Sequence, residues 1–283
     1  MVRRLVILII FLAPFLSWRF GRPQPQLTMF DVGQGLSVLV EDETGWQLLF
    51  DGGPDNSVLA QLGTTLAPTD DYIDVVVISH QHRDHYVGLI EVLRRYRVGE
   101  LWLTRADSKD PAWQELLAVA KQKQIPLLEI KEGMLRYLAS GRVIRGYHPP
   151  ANPRGDEAHD YAVVLTVEHL TTEDSPLGPS KFKTDLVLTG DAEARHEQYI
   201  GHCQISRVLP CPTTGAILQA GHHGSKTSTS EPWLKLLQPN VVLISAGQDN
   251  SYGHPHQEVL ERLERLKINY RRTDLNGTIK IPL

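Results

Sequence analysis

His80-Gln81-His82-Arg83-Asp84-His85 stands directly behind Ile73-Asp74-Val75-Val76-Val77-Ile78-Ser79, and this junction decides how the rest of the chain is read. The β-branched run, bounded by polar residues, predicts a strand buried on both faces. Side chains at the end of such a strand project from a loop on a rigid scaffold, so several ligands can diverge there without costing core packing. Clustered imidazole and carboxylate groups are what divalent ions bind. His80 and His82 are placed to serve one ion, and Asp84 and His85 a second.

Two further stretches carry the same chemistry. Leu188-Thr189-Gly190-Asp191 reads as a strand that delivers a carboxylate to the same sheet edge, and the two oxygens of Asp191 suit it to bridge two cations. Gly221-His222-His223-Gly224-Ser225-Lys226-Thr227-Ser228 follows a short apolar run at 217–220. In an extended segment adjacent side chains point to opposite faces, so His222 and His223 are expected to differ in role, unless Gly221 and Gly224 make a turn instead. Ser225, Lys226 and Thr227 offer hydroxyl, ammonium and backbone donors, a seat for an anionic group. His254, before Pro255, is a candidate general acid or, equally, a structural hydrogen-bonder of its turn.

Around these motifs the pattern predicts mostly short strands. Residues 27–31, 37–40 and 47–51 read as an antiparallel meander between glycine-containing turns. Strands are further expected at 143–147, 161–167, 186–189, 217–220, 241–245, 269–272 and 278–281. Asp110 and Pro111 form an N-cap and N1 pair for a helix to about residue 123, and 256–266 reads as a second helix with Val259, Leu260, Leu263 and Leu266 on one face. Many strands without a strict strand–helix–strand rhythm predict two packed sheets with helices outside. Residues 171–183, rich in Thr, Ser, Pro and Gly, read as an exposed loop or hairpin.

The 283 residues are 41% hydrophobic and 22% charged, an ordinary globular composition. The net charge is -4; Arg3, Arg4, Arg19 and Arg22 supply four of the 29 basic residues, and the remainder is more acidic still. Broad electrostatic capture of nucleic acid is therefore not expected, and any such contact must be local. Cys203 and Cys211 lack metal-site spacing; burial as free thiols is the leading expectation, with a short-loop disulfide as the alternative in an oxidising compartment. The apolar run 5–18 between arginine pairs reads as a membrane anchor or signal segment, so residues 1–26 are expected to anchor or export a domain at 27–283 that faces away from the cytoplasm.

Taken in order, Phe30-Asp31-Val32-Gly33-Gln34-Gly35, Phe50-Asp51-Gly52-Gly53, the 80–85 motif, Thr189-Gly190-Asp191, the 221–228 motif and Asn250-Ser251-Tyr252-Gly253-His254-Pro255 resemble the metallo-β-lactamase-like domain of the ComEC family of DNA-uptake proteins. The resemblance covers about residues 27–283. It implies an α+β fold, a four-layer αββα sandwich, with two divalent ions, zinc or manganese, and a link to DNA uptake. Carried over by position, it implies His80, His82, Asp84, His85, Asp191 and one of His222 and His223 as ligands. The phosphocholine esterase branch of the fold favours His223 as the ligand and His222 as the catalytic group, beside Asp84 and His254. Asp51 would support the histidine motif by hydrogen bonding, Asp31 and Gln34 would line the floor, and Gln34, Ser225, Lys226, Thr227, Asn250 and Tyr252 would face substrate. A further ligand is expected from His159 or Asp160. Leu36 departs from the aspartate common in the family, and its many-helix channel has no counterpart here, so a separate membrane channel is an expected partner.

Two ions bring four positive charges against two from Asp84 and Asp191, and such a centre favours a phosphodiester over a neutral amide. The leading expectation is hydrolysis of DNA or another phosphodiester. Phosphocholine ester, lactam or thioester hydrolysis is the alternative within the fold. A metal-binding module that only docks to a channel protein is the alternative outside it.

Overall fold

The computed structural model describes residues 24–104, 108–153, 157–171, 182–203 and 209–283. Strands β1 (Gln26–Met29), β2 (Val38–Glu41) and β3 (Gln47–Phe50) form the expected antiparallel meander. The chain then changes mode: β4 (Tyr72–Val77), β5 (Arg97–Leu103) and β6 (Leu127–Glu129) add as parallel neighbours. Parallel pairing requires a crossover, and α1 (Ser57–Thr65), α2 (Arg83–Arg95) and α3 (Pro111–Gln122) supply one at each step. The helix α3 starts as its sequence predicts, with the Asp110 carboxylate accepting the Ala112 N–H and Pro111 at the first position.

The second half repeats this grammar. Strands β7 (Leu135–Tyr137), β8 (Val143–His148), β9 (Val164–Leu170) and β10 (Phe182–Leu188) are antiparallel. Parallel strands β11 (Ile217–Gln219), β12 (Val241–Ile244) and β13 (Asn269–Arg272) follow, with α4 (Ala194–Gly201), α5 (Glu231–Leu237) and α6 (Gln257–Arg265) between them. After the short α7 (Thr273–Asn276), β14 (Ile279–Pro282) returns to pair with β1 and completes the first of two seven-stranded sheets. Each half therefore does carry a strand–helix–strand rhythm, which the short apolar runs conceal in the sequence.

Burial confirms four layers. Along β4, Val75 and Val77 enter the core between the sheets while Val76 enters the core under α1–α3. The period-two alternation of a strand accounts for this split, and a strand apolar on both faces must be covered on both. Leu186 and Leu188 of β10 face the inter-sheet core, whereas Val187 packs with Trp233, Leu234 and Val259 under α4–α6. This is the helix, sheet, sheet, helix order that the resemblance implies.

Three expectations change. Cys203 and Cys211 are a disulfide with Cα atoms 5.3 Å apart, not free buried thiols; Cys203 is buried as expected, but its partner lies within bonding reach. Asp84 and His85 belong to the first turn of α2 rather than to a loop, with His82 as its N-cap. An acidic residue is favoured at that helix end by the macrodipole, and Tyr86, Leu89, Ile90 and Leu93 bury the inward stripe. Finally, Phe182 and Lys183, read as part of a loop, already belong to β10. The remainder of that loop (172–181) and the apolar run 5–18 lie outside the described residues. Among the described residues, no helix is long and apolar enough to cross a membrane.

Candidate metal centre

Asp51, Ser79 and His80, Asp191, His222 and His223, and Ser245 all lie just past the carboxyl ends of strands: β3, β4, β10, β11 and β12. The two sheets thus deliver their chemistry to one edge of the sandwich. Tight backbone contact makes this possible. A Cβ on Gly35 would fall 2.4 Å from the Asp84 carbonyl oxygen, and one on Gly190, which has φ +51°, would fall 2.8 Å from the Ser79 Cβ. Leu36, at the position where the family often has aspartate, is fully buried between the sheets and donates its N–H to the Asp84 carbonyl at 3.2 Å.

Among the described residues the side chains fall into three groups able to hold a metal ion, one of them His159, Glu193 and His222. In His80, His82, His159 and Asp191 one donor atom from each lies within 4.8 Å of the others, and Asp84, His85 and His223 form a second such group. Asp191 stands between these last two. Its Oδ2 is 3.6 Å from His80 Nε2 and 3.7 Å from His159 Nε2, while its Oδ1 is 3.3 Å from His85 Nε2 and 3.7 Å from His223 Nε2. Donors about 2.0–2.2 Å from a tetrahedral ion stand about 3.3–3.6 Å apart, so these spacings suit atoms around a shared cation. Furthermore, His80 Nε2, His85 Nε2, His159 Nε2, His223 Nε2 and Asp191 Oδ1 are buried without a hydrogen-bond partner. Each such atom costs about 1–3 kcal/mol if left unmet, and their convergence fits a divalent ion rather than accident.

Electrostatics point the same way. Burial would raise the Asp191 carboxyl, but His85, His223 and His80 outweigh it and hold it well below the usual carboxylate range. At Asp84 burial is likewise overcome, by His85 and His223. Burial works to lower His85, yet Asp191, Asp51 and Asp84 raise it well above its ordinary value. Three carboxylates thus call for positive charge at this point. Burial, with His85 beside it, pushes His80 well down and keeps it in the neutral form that a metal ligand requires.

Hydrogen bonds behind the cluster aim it. His85 Nδ1 lies 2.7 Å from Asp51 Oδ2, whose carboxylate also accepts Ser79 N–H at 2.7 Å and Ser79 Oγ–H at 2.6 Å. His223 Nδ1–H donates to the Ser245 carbonyl at 3.0 Å. Both imidazoles therefore present Nε2 to the centre, with the Asp51 carboxylate hydrogen-bonded behind His85. Asp51→Ala is expected to weaken metal binding about 10- to 100-fold, because His85 loses its orienting carboxylate. Chelator competition on the purified variant checks this, and unchanged affinity would reduce Asp51 to a packing residue.

Several assignments are refined. Between the two open alternatives, His159 faces the cluster, whereas Asp160 bonds Arg195 at 3.0 Å and the Glu157 N–H at 3.2 Å. Residues 221–224 form a 3₁₀ turn with both histidines left-handed, His222 at φ 47° and His223 at φ 54°. The opposite-face argument for an extended strand therefore fails here. Their surroundings still differ: His223 is buried against Asp84, its Nε2 3.3 Å from Oδ2, while the more exposed His222 lies between Asp191 (3.8 Å) and Glu193 (3.5 Å). Glu193, which the sequence reading missed, also accepts the Thr227 hydroxyl at 2.9 Å; its one signal was its place two residues beyond Asp191.

On the substrate side, Asn250 clasps its own loop. Its Nδ2 donates to the carbonyls of Gly247 and His254, and its Oδ1 accepts the His254 N–H at 3.0 Å. Gln34 Oε1 accepts the Gly247 N–H at 3.0 Å and an Asp31 oxygen accepts the Gly33 N–H at 3.2 Å, so both shape the floor loop. The buried Ser225 hydroxyl pairs with Thr227 Oγ1 at 3.0 Å. Lys226 is exposed beside them. The His254 ring lies 5.6 Å from that of His222 and 6.1 Å from that of His223; its Nδ1 is buried without a partner, so this nitrogen does not act as a structural hydrogen-bonder.

Four layers with histidines and aspartates gathered at the strand ends are the arrangement of the metallo-β-lactamase fold. The family model of the metallo-beta-lactamase superfamily matches residues 30–248, and the chain belongs to that superfamily. It is similar to ComE operon protein 3 of Bacillus subtilis, with 29% identity over 97% of this chain and 34% of the relative, and to Recombination protein 2 of Haemophilus influenzae, with 28% identity over 93% and 29%. These are members of the ComEC family that the motifs resemble. The chain spans about a third of the length of these curated relatives. Among solved structures, Igni18, described as a novel metallo hydrolase from Ignicoccus hospitalis, shares the fold with TM-score 0.55 and 18% identity, over 91% of this chain and 99% of that one.

Proposed function

We propose that this protein is a divalent-metal-dependent phosphodiesterase acting on DNA, with His80, His82, His159 and Asp191 holding one ion and Asp84, His85, His223 and Asp191 a second. The observation that carries this reading is the position of Asp191, one oxygen toward each group. When bound, such a pair of ions supplies Lewis-acid polarisation of a phosphoryl oxygen and activation of water at neutral pH. The chain's own residues do the rest. Lys226 attracts the phosphate, and Ser225 and Thr227 hold the turn that presents it. His222, within reach of Asp191 and Glu193, moves a proton at the reacting centre. Burial, with His223 and His256 beside it, pushes His254 down to about 4, so it is neutral at pH 7. An approaching phosphate anion favours its protonation, which suits it to give a proton to the leaving oxygen.

The similarity to competence proteins supports a place in DNA uptake beside a separate channel protein. The disulfide supports a location in an oxidising compartment outside the cytoplasm, and the apolar run at 5–18 is the proposed membrane anchor. The full chain is expected to hydrolyse bis-(p-nitrophenyl) phosphate and an oligodeoxynucleotide, to lose this activity on exhaustive chelation, and to regain it with zinc or manganese. Undiminished hydrolysis after chelation would overturn the reading, and so would activity confined to lactam or thioester substrates.

A further inference from the structure

Tyr252, 66% exposed, sits beside the candidate metal centre. Its ring lies nearly parallel to that of His254, at 20° and 5.8 Å between centroids, and His254 in turn stacks on His223 at 29° and 6.1 Å. Three flat rings thus lead from the surface to the metal-facing cluster. Burial gives no reason for the outermost of them, since most of its surface remains in water.

The platform is held in place. Asn250 clasps the loop through the Gly247 carbonyl and through both backbone groups of His254, and the Gly253 N–H donates to the Asn250 carbonyl. A loop fixed in advance loses little backbone freedom when something binds to it. A cation stands on the neighbouring turn. The Lys226 N–H donates to His256 Nδ1 at 3.0 Å, and the His256 ring lies 4.8 Å from that of His254. An exposed aromatic and an exposed lysine on neighbouring turns of an otherwise acidic protein offer the chemistry that holds a single nucleic-acid strand, the base on the ring and the phosphate on the cation.

We infer that Tyr252 is a specificity-determining residue on which an unpaired base stacks, so that the substrate is a single-stranded nucleic acid rather than a duplex or a base-free phosphodiester. This rests on the phosphodiesterase reading of the same centre. In a duplex the faces of the bases are occupied by their neighbours and are not available to Tyr252.

The test is fluorescence anisotropy of the full chain, in chelator to prevent turnover, with a labelled single-stranded oligodeoxynucleotide and a strand of the same length made of abasic residues. Tyr252→Ala is expected to weaken binding of the base-bearing strand about 5- to 100-fold and to leave the abasic strand unchanged. Tyr252→Phe, which keeps the ring and loses only the hydroxyl, should bind within about twofold of the parent. With metal restored, Tyr252→Ala should raise KM for the single strand while kcat holds. Equal affinity of parent and Tyr252→Ala for the base-bearing strand would overturn the stacking role, as would tighter binding of duplex by the parent. Neither result touches metal-dependent hydrolysis of bis-(p-nitrophenyl) phosphate, which tests the phosphodiesterase reading separately.

Discussion

Asp191→Asn is expected to lower phosphodiester hydrolysis by at least about a hundredfold and to reduce bound metal from two ions per chain toward one. The side chain keeps its shape, so packing cannot account for the loss. What changes is that only one of its two terminal atoms remains an acceptor. In the parent, Oδ1 faces His85 and His223 while Oδ2 faces His80, His159 and His222. An amide can offer its carbonyl oxygen to one group, but it then turns an NH₂ with two donors on the other. A cation on that side loses a charged ligand and meets two positive hydrogen ends. The centre also loses one of the carboxylates that call for cationic charge around His85. Metal analysis alongside the rate on bis-(p-nitrophenyl) phosphate reads both effects, and a near-normal rate with both ions retained would reduce Asp191 to a turn residue.

The sequence exposed these features unevenly, for physical reasons. Ligands contiguous in the chain, at 80–85, are visible because strand β4 ends and helix α2 begins within one short stretch, leaving no room for spacers. Asp191 is visible only once that stretch is recognised, since a Thr-Gly-Asp triplet alone is an ordinary turn. His159 stayed ambiguous with Asp160 because adjacent residues in a 3₁₀ turn point in directions that composition does not reveal. The helical crossovers α1 and α2 went unread for a different reason: α2 opens on the polar metal motif and α1 follows a glycine- and proline-containing stretch. Their amphipathic patterns begin where loop signals are strongest. For Cys203 and Cys211 the sequence left burial as free thiols and a short-loop disulfide both open, because pairing depends on the path of the chain beyond α4 and not on spacing.

The adjacent histidines lead to the second large effect: His223→Ala should lose about one ion per chain, whereas His222→Ala should keep its metal and lose about a hundredfold in rate. The expected contrast no longer rests on strand alternation, since both residues adopt left-handed backbone in one tight turn. It rests on what each ring touches. His223 is buried, its Nδ1–H is committed to the Ser245 carbonyl, and its Nε2 lies near Asp84 and Asp191 without a hydrogen bond. A ring fixed at one nitrogen and unmet at the other is placed to ligate. The ring of His222 is more exposed, and its two nitrogens lie near Asp191 Oδ2 and Glu193 Oε1, a setting for exchanging a proton with substrate; general acid–base groups contribute about 10²–10⁴ in rate. Both substitutions place alanine on left-handed backbone in the same turn, so any backbone cost falls on the two variants alike. Metal content and rate measured side by side decide the matter: equal loss of metal in both variants would make both residues ligands, and loss in His222→Ala alone would exchange their roles.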